Sequence, residues 1–116
     1  MRITKKDFER FKKEFLRWVE KLGLKDYRFT FYHKMLNNDY AKIDINESGK
    51  NVCVFLTNQI NKFDIEGWES PELHAKHEAI HVLLFKLEHL GRQRYVSPGE
   101  FDDESEALVR VLEKVL

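Results

Sequence analysis

Five consecutive residues, His77-Glu78-Ala79-Ile80-His81, combine two imidazoles with a carboxylate beside them. On a helix, residues four apart stand one above the other, about 6 Å apart along the axis. Both imidazoles can therefore reach one zinc ion. Glu78 is turned by about 100° from His77, so it flanks such a metal rather than binding it. From there it can take a proton from a water that the metal activates. The same five residues also suit a core helix whose histidines merely satisfy hydrogen bonds.

A zinc hydrolase needs a third protein ligand and an open fourth position. The carboxy-terminal segment supplies candidates. Phe101, Glu104, Leu108, Val111 and Val115 are spaced by three, four, three and four, which sets Glu104 on an otherwise apolar helical stripe. A lone carboxylate there must be paired, protonated or metal-bound, because burying an unpaired charge is very costly. Glu104 is thus the expected third ligand, with Glu106 and Asp103 as alternatives. Glu106 shares its face with Arg110 and Glu113, as an ordinary exposed residue would.

HEAIH followed by a glutamate at the start of a later helix resembles the gluzincin branch of zinc metallopeptidases, in particular its smallest members. In many gluzincins the third ligand opens an ExxxD pattern. Glu104-Ser105-Glu106-Ala107-Leu108 fits at Glu104 and at Ala107 and departs at Leu108, where an aspartate usually supports the first histidine. The resemblance implies a minimal zincin-like fold, Zn²⁺ held by His77, His81 and Glu104, and Glu78 as general base. It further implies a peptide or protein substrate paired with a sheet edge. An oxyanion donor is also required; Tyr95 between the last two helices is the first candidate, followed by Arg110 and His74. The departure at Leu108 leaves a second function class open: a zincin-fold binding or regulatory module without turnover, contacting nucleic acid through a basic first helix.

The elements that position these residues are legible from period and punctuation. Thr4 to Leu22 predicts a helix, with Thr4 and Asp7 as a capping box and Gly23 as the stop. Phe8, Phe11, Phe15, Trp18, Val19 and Leu22 form its apolar stripe, a packing surface rather than a ligand site. Alternation then predicts strands over Tyr27–Tyr32, Ala41–Asn46 and Val52–Thr57. Short turns between them favour an antiparallel meander, and a short edge strand is expected around Phe63 to Ile65. Ser70 caps the HEAIH helix, Pro71 occupies its first turn and Gly91 ends it. Ser97-Pro98-Gly99-Glu100 opens the last helix, with Asp102 or Asp103 as alternative caps. The expected fold is α+β: an N-terminal helix, a three-stranded mainly antiparallel sheet, the HEAIH helix and a C-terminal helix, in one domain over residues 1–116.

Composition bounds the setting. The 116 residues carry 20 basic and 20 acidic side chains. Residues 1–34 hold 11 basic and 5 acidic, and residues 64–116 hold 6 and 12. Such asymmetry marks a surface for nucleic acid or an acidic partner, or two halves that attract each other. A single cysteine, Cys53, set in an apolar run, excludes an internal disulfide and reads as a small core residue. No apolar run approaches the roughly 20 residues that span a bilayer. The expectation is an intracellular, cytoplasmic protein with no membrane partner. The sequence leaves the oligomeric state open.

Overall fold

A computed structural model describes residues 1–116 except Glu47, Gly49, Phe63, residues 94–96 and Leu116. Helix α1 spans Lys5–Leu22, strands β1, β2 and β3 span Arg28–His33, Ala41–Asn46 and Asn51–Leu56, and helices α2 and α3 span Pro71–Arg92 and Pro98–Val115. The fold is α+β, with a mixed three-stranded sheet.

Helix α1 starts where the sequence says it should. Asp7 N–H donates to the Thr4 hydroxyl at 3.1 Å and Thr4 N–H donates to the Asp7 carboxylate at 2.9 Å, satisfying two amides that the first helical turn leaves free. Gly23 ends it at φ 69°, a conformation costly for residues with a Cβ. Its stripe buries Phe11, Phe15, Val19 and Leu22. Phe15 meets Phe29 and Phe31 edge-on, with ring centroids 5.3 and 5.5 Å away. In α2, Ala75 and Ala79 are fully buried, and their small side chains let α1 and α2 approach closely. Across this pair the Arg10 guanidinium grips Glu72 with two hydrogen bonds of 2.8 and 2.7 Å.

The strand order is β1-β3-β2, with β1 parallel and β2 antiparallel to β3. The predicted meander is therefore replaced by a mixed sheet in which the last strand inserts between the first two. Burial explains the order. Val52, Val54 and Leu56 are fully buried, so β3 takes the centre and the more polar strands take the edges. Residues 34–40, connecting β1 to β2, are long enough to leave that central place open.

Three local expectations change. Ile65–Gly67 forms a 3-10 turn rather than an edge strand, while Phe63 lies outside the described residues. Gly91 sits inside α2, which continues to Arg92 with Gln93 as its cap. Cys53 is half-buried on the sheet face away from Val52 and Val54, not a core residue. Ser97 is the first polar partner of α3: its hydroxyl accepts from Glu100 N–H at 3.1 Å. Asp102 and Asp103 fall within the helix. No helix among the described residues is long and apolar enough to cross a membrane.

Candidate metal centre

Helix α2 begins at Ser70, whose hydroxyl accepts from Leu73 N–H at 3.1 Å, with Pro71 preset for the first turn. That phase decides what the next two turns present. His77 and His81 emerge on one exposed face, and Glu78, one step round, turns inward. The Nε2 atoms of His77 and His81 stand 3.2 Å apart, with the rings at 4.7 Å between centroids.

This spacing is a test of fit for zinc. Two nitrogens bound at about 2.0–2.1 Å in a tetrahedral site stand about 3.3 Å apart. The pair meets that distance requirement. On the far side of His81, Nδ1 lies 3.9 Å from Glu88 Oε1, a carboxylate one face and two turns along the same helix.

Glu78 is nine-tenths buried between α2 and β2. Burial, and secondarily the charge of Asp39, pushes its pKa from 4.5 up to about 7. A carboxylate poised there accepts and returns a proton near neutral pH.

Two adjoining clefts flank the motif. One, about 430 Å³, is lined by Asp39, Tyr40, Glu69, His74, His77 and Glu78 among others. The second, about 540 Å³, runs along β2 past Ile43 and Asp44 to His81 and Glu88. Asp39 lines both. It had no signature in the sequence, where Asn37-Asn38-Asp39 reads only as turn chemistry, yet its carboxylate shares the cleft with Glu78.

The wall of the first cleft is fixed by aromatic packing. Tyr40 donates its hydroxyl to the Asp64 carbonyl, passing so close to Gly67 that a Cβ there would have to displace the phenol. Trp68 stacks on His74 at 4.7 Å and Tyr40 tilts against it at 5.0 Å. Half-buried in this setting, His74 has its pKa held below the ordinary imidazole value by burial, with His77 adding to the effect and Glu69 opposing it. Its Nε2 accepts from Glu69 N–H at 3.4 Å.

The structure brings together His77, His81 and Glu78 and leaves Glu104 elsewhere. Glu104 Oε2 lies 3.9 Å from Lys86 Nζ. Lys86 is nine residues beyond His77, two and a half turns, so it leaves α2 on the opposite side. Among the described residues no three His, Cys, Asp or Glu side chains form a group able to hold a metal. The alternatives Asp103 and Glu106 are exposed on α3, as is Arg110. Tyr95 lies outside the described residues. His33 is half-buried and stacked on Phe8 at 4.9 Å, with its Nε2 buried and without a hydrogen-bond partner among the described residues.

No family model and no curated protein sequence matches the chain. Among solved structures it is similar to the metallopeptidase zymogen jannalysin of Methanocaldococcus jannaschii, at 14% identity over 91% of this chain and 97% of that one, with a TM-score of 0.39.

Proposed function

We propose that this chain is a zinc-dependent peptidase that hydrolyses peptide bonds in a peptide or protein substrate. One observation carries the reading: two imidazole nitrogens converge at 3.2 Å on the wall of a cleft, beside a buried carboxylate of raised pKa. His77 and His81 would hold the ion. Bound there, zinc supplies Lewis acidity, acidifying a water and polarising a scissile carbonyl. Glu78 accepts the proton of the attacking water and returns it to the leaving amine. The free edge of β2 borders the same cleft and offers an extended substrate backbone a strand to pair with.

The third ligand is proposed to be Glu104, which requires α3 to re-seat and the contact with Lys86 to give way. That contact is long and offers little resistance. Asp39, already in both clefts, is the competing oxygen donor. Tyr95 is retained as the oxyanion donor, with His74 next because it lines the cleft.

A second reading, a zincin-fold binding module without turnover, is favoured by the separation of Glu104 from the histidines and by Leu108 in place of aspartate. Metal analysis and peptide cleavage decide between them. Zinc in both wild type and Glu78→Gln, with cleavage by wild type only, supports the peptidase; zinc in both without cleavage supports the module. Absence of zinc from both proteins sinks the two readings together. Zinc titration of Glu104→Gln and Asp39→Asn assigns the third donor to whichever loses affinity by about tenfold or more.

A further inference from the structure

The sheet has two unlike faces. Val52, Val54 and Leu56 point to the side covered by α1 and α2. The opposite side carries Tyr32, Phe55 and Lys42, which the register aligns in one row across β1, β3 and β2. Tyr32 stacks on Phe55 with centroids 5.1 Å apart and planes 20° from parallel. One face of the tyrosine is thereby occupied, and the residue remains 42% exposed. The ammonium groups of Lys34 and Lys42 stand 5.0 and 4.9 Å from the Phe55 centroid. Arg28 is exposed two rows along the same face of β1.

We infer that this open face binds single-stranded nucleic acid, with a base stacked on Tyr32 and the flanking phosphates paired with Lys34, Lys42 and Arg28. The chemistry follows from the row. An aromatic ring held flat by a second ring behind it is a platform for any planar base, because every base has a π-face. Cation–π contacts with Phe55 keep the two lysines beside the platform instead of dispersed in solvent, so little order has to be created on binding. Among the described residues of the three strands, the one carboxylate on this side of the sheet is Asp44 of β2. The strand must be single, because a duplex buries its base faces in its own stack. An acidic peptide could pair with the lysines but would leave the ring unused. Lys42 also lines the cleft of the metal centre, whereas Tyr32, Lys34 and Arg28 lie outside it, so stacking on this platform does not require the metal.

The experiment is fluorescence anisotropy of the full chain with labelled oligo-dT and oligo-rU at 50–200 mM salt. Binding is expected to weaken with salt at a log–log slope of about −2, from three phosphate contacts at about −0.7 each. Tyr32→Ala is expected to lower affinity by about fivefold to a hundredfold, the range for one stacked base, while Tyr32→Phe keeps it. Lys34→Gln and Lys42→Gln should each flatten the slope by about 0.7. Glu78→Gln should bind as wild type does. The inference is overturned by absence of binding at 50 mM salt, by unchanged affinity in Tyr32→Ala with an intact circular dichroism spectrum, or by equal competition from polyglutamate.

Discussion

His77 and His81 present their Nε2 atoms to one another at 3.2 Å, on the exposed face of α2. Without a metal, such a pair can share at most one hydrogen, so it gains little by standing so close. With zinc, both lone pairs are used. Zinc at about a hundred times its dissociation constant should therefore stabilise the fold by about 2.7 kcal/mol, read as a raised melting temperature. His77→Ala and His81→Ala should each abolish that rise.

Glu78 should make the metal-free protein more stable in mild acid than at neutral pH. Its folded pKa, about 7, lies above the ordinary 4.5. Between those values the folded state keeps a proton that the unfolded chain has released. The stability contribution is full below 4.5 and is lost as pH rises through 7, by an amount on the order of 3 kcal/mol. Denaturation of apo protein at pH 5 and pH 8 measures it. Glu78→Gln should flatten the difference; an unchanged pH slope in that variant contradicts the assignment.

Glu72 acts in the opposite direction. Hydrogen bonding to Arg10 holds its pKa below 4.5. Its contribution is therefore present above 4.5 and lost as pH falls through the depressed folded value. Both partners are substantially exposed, so the effect should shrink in 1 M salt. Comparing wild type with Glu72→Gln at pH 7 and pH 3, at low and high salt, should show a difference only at neutral pH and low salt.

Phe15 is fully buried against Phe11, Phe29 and Phe31. Phe15→Ala should cost about 3–5 kcal/mol, the usual penalty for emptying an aromatic site. Phe15→Leu should cost less because it leaves a smaller void. Urea denaturation of the two variants gives the ranking.

Local chemistry in this chain was legible because its causes lie within a few residues. The Thr4–Asp7 box, the positive φ of Gly23 and the Ser70 cap depend on side chains within one turn of the backbone they satisfy. Gly91 misled for the same reason. A glycine ends a helix only where the chain must turn left-handed, and here α2 runs on to Arg92. Strand pairing was not legible, because alternation places β1, β2 and β3 without saying which two share the centre. Asp39 was invisible for a related reason: nothing in Asn37-Asn38-Asp39 says which helix that turn will face.

That His77 and His81 share a face with Glu78 beside them follows from helical geometry alone, which leaves no other arrangement once Ser70 sets the phase. The sequence also marked the aromatic stripe of α1 as core. The depth at which Glu78 is buried, the approach of Asp39 to it, and the place of Glu104 beside Lys86 instead of the histidines emerge only in the folded chain. Those outcomes depend on how α2 and α3 settle against each other and against the sheet. Packing energies spread over many distant contacts fix that arrangement, and no short spacing encodes it.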